Sequence, residues 1–97
     1  MEMVHPTARY RMLAVGSNLR AAIDALGISY VDAAEVMGVT KNHLGNWMRG
    51  STYPMPFAVY RFSRRYGVTA DWLYLSDPSG LPLRIASAMK IVSERQE

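Results

Sequence analysis

The chain has 97 residues, 49% of them hydrophobic, and a net charge of +3 at pH 7, which favours one folded domain without a separate catalytic or ligand-sensing domain. It contains no cysteine, so disulfides and thiolate metal sites are excluded, as is common in a reducing compartment. Because no apolar run could span a membrane and the N-terminus lacks the apolar core of a secretory signal, we expect a cytoplasmic protein.

The first predicted element is a helix, because apolar residues recur at helical spacing through the first quarter of the chain. It should begin near Pro6 or Thr7 and end at Gly27, a typical C-terminal glycine. The pair Gly16-Ser17 is expected to interrupt this helix and to leave the first ten residues as a separate turn or short helix.

Two short helices should follow. Ser29 is predicted to cap a second helix that runs to about Met37, and Gly38-Val39 should form a tight turn. Thr40 then caps a third helix, Lys41–Arg49. No strand pattern competes with these helices anywhere in the chain.

The remaining elements are also predicted to be helical. A fourth helix should span about Pro56–Tyr66 and end at Gly67, and Thr69 should cap a short fifth helix with the sequence ADWLYL. The segment SDPSG is predicted to be a turn or linker. A final helix is expected from Pro82 to about Glu94, because apolar residues again recur at helical spacing there.

The fourth helix carries both aromatic and basic residues. We expect its aromatic residues to lie in the core, together with the two tryptophans of the chain: Tyr60, Phe62, Trp47 and Trp72. Its arginines, Arg61, Arg64 and Arg65, form either a solvated face or flanking phosphate contacts. No face that interleaves exposed aromatic and basic residues is evident, so a platform for stacking single-stranded nucleic acid is not predicted.

The third helix divides into two faces on a helical wheel. The apolar face holds Leu44, Trp47 and Met48, His43 lies between the faces, and the polar face holds Lys41, Asn42, Gly45, Asn46 and Arg49. This polar face has amide, ammonium and guanidinium groups but no carboxylate. Asparagine can bond N6 and N7 of adenine, whereas lysine and arginine suit guanine or phosphate, so the pattern is typical of a helix that reads the DNA major groove.

Gly45 is unusual in the middle of this helix, where glycine costs about 1 kcal/mol relative to alanine. One interpretation is a tolerated defect. The other is that the missing side chain lets the helix sit deeper in the groove.

The charge distribution also indicates a nucleic-acid partner. No acidic residue lies between Glu35 and Asp71, and that stretch holds five Lys/Arg residues and a charge of +5. The rest of the chain, with six basic and eight acidic residues, has a charge of −2. A basic block of this kind attracts polyanions, because phosphate contacts release condensed counterions.

Several short motifs occur in a familiar order: LGIS at 26–29, Ala34, GVT at 38–40, Leu44, Trp47, RG at 49–50 and GVTADWL at 67–73. From about Leu19 to Leu75 the chain resembles the lambda-repressor-like (Cro and phage-repressor) helix-turn-helix family. The resemblance implies an all-α, five-helix DNA-binding domain, to which this chain adds a C-terminal helix. We accordingly divide the chain into an N-terminal extension of the first helix (1–16), the helix-turn-helix domain (17–76) and a linker with the C-terminal helix (77–97).

The resemblance implies that Lys41, Asn42 and Asn46 contact base edges and that Tyr30 contacts a phosphate. From their places on or beside the third helix, we add Gly45 to the base contacts and the following residues to the DNA backbone contacts: Thr40, His43, Arg49, Ser51, Thr52 and Tyr53. For His43 the alternatives are a phosphate or base contact at the groove edge and an exposed helix residue without such a role. Tyr30 stands where the family commonly has a phosphate-binding glutamine, and Ile23 and Met48 stand where it commonly has an Arg–Glu ion pair. Because both halves of that pair are apolar here, we infer that Ile23 and Met48 touch.

These observations predict a sequence-specific, double-stranded-DNA-binding transcriptional regulator, repressor-like, that competes with RNA polymerase or contacts it. We expect a homodimer on two half-sites. The dimer contact is expected from the fifth helix and the apolar segment Leu81–Val92. The alternative is that this segment packs back on its own domain. The alternative function is an antitoxin-like or anti-regulator interaction module that keeps the fold without operator binding.

No enzyme, cofactor or metal site is predicted. His5 and His43 are too distant in sequence to form a local ligand pair, and no nucleophile-plus-base arrangement or glycine-rich phosphate loop appears.

Overall fold

A computed structural model of the chain describes residues 6–90. Those residues form six helices and no strand: α1 (Pro6–Leu26), α2 (Tyr30–Met37), α3 (Lys41–Met48), α4 (Pro56–Tyr66), α5 (Ala70–Leu75) and α6 (Leu83–Ala88). The predicted all-α class is therefore confirmed. Within the same residues, no helix combines the length and apolar character that crossing a membrane requires.

Helix α1 is continuous over 21 residues, so the predicted interruption at Gly16-Ser17 is wrong. Gly16 is buried, and a Cβ atom placed on it would lie 2.4 Å from the carbonyl oxygen of Trp47. The glycine is needed because α1 crosses the end of α3 at backbone contact distance, not because the helix breaks there. Helix α1 is therefore one unbroken element across residue 16, where the sequence suggested a boundary between an N-terminal extension and the helix-turn-helix domain.

The predicted helix caps are confirmed. The side-chain oxygen of Ser29 accepts a hydrogen bond from the backbone N–H of Asp32, and Thr40 and Thr69 cap α3 and α5 in the same way. Gly38 ends α2 with φ +78°, a left-handed conformation that glycine adopts without strain. These local devices fix the three-residue connection between α2 and α3.

The core is shared by all six helices, and its largest fully buried side chains are Phe62, Leu19, Ile23, Met37, Leu44, Leu73, Val15 and Val68. Helix α2 packs on α4, while α1 packs on α3, α5 and α6. The side-chain amide of Asn18 donates to the carbonyl oxygens of Trp72 (3.1 Å) and Leu73 (3.2 Å) near the end of α5. This arrangement leaves α3 with one side free of the core.

The described part of the C-terminal segment, residues 81–90, packs back on its own domain. Leu81 and Ile85 are buried in the core, so these two residues are not available for the dimer contact that was one alternative for this segment. Helix α6 ends at Ala88 instead of continuing towards Glu94, and residues 91–97, with Val92, lie outside the described residues. Leu83 remains 79% exposed.

The aromatic residues differ in part from the prediction. Trp47 and Phe62 are buried and Trp72 is half-buried, but Tyr60 is 54% exposed, so its assignment to the core is wrong. Tyr60 lies on the side of α4 that faces away from Phe62, and its ring stacks on that of Phe57 with centroids 5.7 Å apart. Exposed aromatic and basic residues therefore share one face of α4, contrary to expectation.

Candidate nucleic-acid interface

The two faces of α3 separate as the helical wheel predicts. On the inner face Leu44 and Trp47 are buried and Met48 is half-buried against the core. On the outer face Lys41, Asn42 and Arg49 are exposed, while Gly45 and Asn46 are half-buried; His43 is exposed between the two faces, with its ring stacked on Trp47. The inner face anchors the helix and leaves the polar residues at the surface.

The start of α3 offers side chains that the protein itself does not use. Within residues 6–90, no hydrogen bond or ion pair involves the side chains of Lys41 and Asn42. Thr40, by contrast, is used within the protein: its Oγ1 accepts from the backbone N–H of His43 (3.1 Å) and shares a second hydrogen bond with Nδ1 of the same residue (3.4 Å). The N-terminal end of a helix also carries partial positive charge, which favours a phosphate nearby.

The end of α3 carries a coupled pair of side chains. The Arg49 guanidinium donates through Nη2 to Oδ1 of Asn46. A Cβ atom on Gly45 would lie 3.2 Å from Nη1 of Arg49, so the guanidinium occupies the space beside this glycine. Gly45, Asn46 and Arg49 thus form one cluster at the end of α3.

Two tyrosines that were predicted to contact the DNA backbone form hydrogen bonds within the protein. The hydroxyl of Tyr30 donates to Oδ1 of Asp24 (3.2 Å), and that of Tyr53 donates to the carbonyl oxygen of Ala8 (3.3 Å). A tyrosine hydroxyl has one hydrogen, so neither side chain can donate to a phosphate without giving up its present partner. The Asp24 carboxylate beside Tyr30 would also repel a phosphate.

The loop after α3 is held by contacts that the sequence analysis missed. The hydroxyl of Tyr74 donates to the carbonyl oxygen of Pro54 (2.8 Å), and Arg11 donates through Nη2 to the carbonyl oxygen of Tyr74 (2.7 Å). Burial raises the pKa of the Tyr74 hydroxyl. Arg11 and Asn18 are seven residues apart on α1, and this helical spacing of two polar residues is the signal that could have indicated a shared face. Ser51 and Thr52 are exposed in this loop.

The basic stretch lies at the surface. Lys41, Arg49 and the three arginines of α4 are all exposed. The acidic residues in the described part of the chain all lie outside 36–70: Asp24, Asp32, Glu35, Asp71 and Asp77. The outer face of α3 therefore combines positive charge with hydrogen-bonding groups that suit base edges and phosphates.

Comparison with known proteins agrees with this geometry. The family described as helix-turn-helix matches residues 19–73, more than half of the chain, from the second half of α1 into α5. No match was found among curated proteins or among solved structures. The fold, the polar outer face of α3 and the family match lead to one conclusion: the chain belongs to the Cro/C1-type helix-turn-helix family of DNA-binding regulators.

Proposed function

We propose that the protein is a sequence-specific, double-stranded-DNA-binding regulator of repressor type that inserts α3 into the major groove. The observation that carries this proposal is the outer face of α3. It is exposed, free of carboxylates, and begins with Lys41 and Asn42, whose side chains have no partner within residues 6–90. Leu44 and Trp47 hold the opposite face in the core, so the orientation of the outer face is fixed relative to the domain.

The base contacts are assigned from the donors and acceptors that each side chain offers. Lys41 would donate to O6 and N7 of guanine, and Asn42 would pair with N6 and N7 of adenine. Asn46 already accepts from Arg49, so this pair presents mainly N–H donors and suits guanine or a phosphate. Gly45 lets the helix backbone approach the base edges closely.

The DNA backbone contacts would come from around α3. Thr40, His43 and Arg49 on the helix, and Ser51 and Thr52 in the following loop, are exposed and able to donate to phosphate oxygens. Tyr30 and Tyr53 also belong to this region. Because their hydroxyl hydrogens are donated to Asp24 and Ala8, we assign them a positioning role in the free protein.

A single helix-turn-helix domain buries little DNA surface, so we propose that two copies bind two half-sites about one helical turn apart. Leu81 and Ile85 belong to the core, and α5 and α6 instead expose Leu75 (64%) and Leu83 (79%) for a dimer contact. A dimer placed over a promoter would block RNA polymerase sterically.

Selection of bound duplexes from a random DNA pool tests this function. We expect one enriched site with two related half-sites, and Lys41→Ala should weaken the preference at one position of each half-site by about 1–3 kcal/mol. Arg20→Ala, an exposed change on α1, is the control and should leave the selected site unchanged. If no sequence is enriched, the proposal fails and an interaction module without operator binding becomes the better interpretation.

A further inference from the structure

A second basic surface lies between α4 and the end of α2. Val36, Tyr60, Arg61, Arg64 and Arg65 line a cavity of about 430 Å³ that opens broadly to solvent. We call these five residues the arginine groove. The DNA-binding face assigned above is on α3 and does not include them.

One wall of the arginine groove is fixed by the helix-turn-helix unit itself. Arg61 Nε donates to the carbonyl oxygen of Val36 (2.7 Å), and the guanidinium lies beside Gly38, at ordinary van der Waals distance from where a Cβ would stand (3.5 Å). Both Nη groups of Arg61 still have N–H groups to donate. The guanidinium is therefore held in place with open donors.

Apolar rings stand beside these charges. Phe57 and Tyr60 stack on each other and are 63% and 54% exposed, and the Arg61 guanidinium lies 5.9 Å from the Phe57 ring centroid. Arg65 lies 5.1 Å from the centroid of the Tyr66 ring. Such stacking limits the freedom of arginine side chains, so less conformational entropy is lost when they bind a partner.

We propose that the arginine groove is a docking site for an acidic segment of a partner protein, with an aromatic or aliphatic side chain seated between Tyr60 and Val36. The positive charge of the groove is complementary to an acidic segment. Three arginines and no acidic residue line it, while Asp32 and Glu35 are exposed on the adjoining helix α2. Carboxylates pair with arginine in a bidentate manner, and exposed Tyr and Arg side chains are typical of protein interfaces.

Two other occupants fit less well. A DNA backbone needs a row of cations but no concavity, and the exposed Phe57 and Tyr60 rings gain nothing beside phosphates. A second copy of the chain, meeting its twin through the same surface, would bring two sets of three arginines together, and like charges in one interface repel. An acidic peptide with apolar side chains uses both the charge and the rings.

The experiment measures peptide binding by fluorescence anisotropy with the full chain. The probe is a short dye-labelled peptide in which aspartate alternates with phenylalanine, and its control has lysine at every aspartate position. The test variant is Arg64→Glu with Arg65→Glu, and the matched control is Arg9→Glu with Arg20→Glu, the same charge change on exposed arginines of α1. Tyr60→Ala tests the ring without changing the charge, and circular dichroism verifies that every variant is folded.

We expect the acidic peptide to bind the unaltered chain and the lysine peptide not to bind. The Arg64/Arg65 variant should lose about tenfold or more in affinity, Tyr60→Ala should lose part of it, and the Arg9/Arg20 variant should stay close to the original value. The proposal is overturned if the acidic peptide does not bind, or if both double variants lose affinity equally.

Two further measurements can also overturn the proposal: the affinity for duplex DNA, and the oligomeric state by sedimentation. If the Arg64/Arg65 change weakens binding to duplex DNA more than the Arg9/Arg20 change does, the groove contacts phosphate and the proposal fails. It also fails if the chain is a dimer that this change alone dissociates. DNA binding by the unaltered chain is measured in the same series, so failure of the groove and failure of the regulatory function are distinguishable.

Discussion

Gly16 and Trp47 meet backbone to backbone: a β-carbon on Gly16 would lie 2.4 Å from the carbonyl oxygen of Trp47 and 2.6 Å from that of Met48. Real Cβ atoms do not approach this closely, so α1 and the end of α3 are packed at a distance that only glycine permits. Trp47 is itself buried on the inner face of α3. The position of α3, which we propose to read DNA, therefore depends on a buried residue of α1.

Gly16→Ala should consequently destabilise the fold. Alanine gains about 1 kcal/mol in helix propensity, but the clash is with backbone atoms that cannot rotate away, and overpacking of this kind costs about 1–3 kcal/mol or more. We expect a lower free energy of unfolding in urea, with Ser17→Ala, an exposed neighbour, as the control. Equal or greater stability of Gly16→Ala would contradict the close packing.

Gly45→Ala should behave in the opposite way. The new β-carbon meets only the far end of the flexible Arg49 side chain, at 3.2 Å, so the helix should gain about 0.5–1 kcal/mol in stability. Affinity for duplex DNA should fall, because the added methyl group lies on the reading face. Binding titrations together with thermal unfolding separate the two effects. A stability gain with unchanged DNA affinity would refute the close-approach role of Gly45.

Ile23 and Met48 replace an ion pair common in the family, and their predicted contact can be measured. Ile23 is fully buried and Met48 packs against the same core. Ile23→Arg alone should cost about 3–5 kcal/mol by burying an unpaired charge, and adding Met48→Glu should recover part of that loss. Urea denaturation of the two single variants and the double variant gives their free energies of unfolding, and this double-mutant cycle measures the interaction between the two positions. Strictly additive changes would argue against the contact.

Tyr74 should make stability depend on pH in the alkaline range. Burial raises the pKa of its hydroxyl in the folded state, so the unfolded chain loses this proton first as the pH rises. The resulting stabilisation is complete below the unfolded-state pKa of about 10 and is lost as the pH rises through the folded-state pKa. Tyr74→Phe lacks the hydrogen bond to Pro54 but also lacks this titration.

The measurement is the free energy of unfolding of both proteins between about pH 8 and about pH 11. The advantage of the unaltered chain over Tyr74→Phe should shrink as the pH rises. Tyr10→Phe is the control, because Tyr10 is 69% exposed. A constant difference between the two proteins over this range would show that Tyr74 does not titrate as its burial requires.

Local patterns predicted much of the fold. Ser29, Thr40 and Thr69 cap their helices as expected, because a cap depends only on residues three positions away. The two faces of α3 also follow from helical spacing alone. For the same reason the candidate reading residues Lys41 and Asn42 could be identified directly from the sequence.

Long-range contacts account for what could not be predicted. A glycine within a helix either breaks it or allows a close crossing, and for Gly16 the deciding partner, Trp47, lies far along the chain. Leu81 and Ile85 are buried against helices that precede them, which their spacing does not reveal. The hydrogen bond from Tyr30 to Asp24 spans only six residues, but it also could not be predicted, since the tyrosine hydroxyl could equally have reached a phosphate.

The most direct test of the DNA-binding account is an NMR titration of the ¹⁵N-labelled chain with its selected duplex at low ionic strength. The largest chemical-shift changes should occur along the outer face of α3, at Lys41, Asn42, Asn46 and Arg49. If those resonances stay in place while others move, or if the duplex leaves the whole spectrum unchanged, then α3 is not the helix that reads DNA.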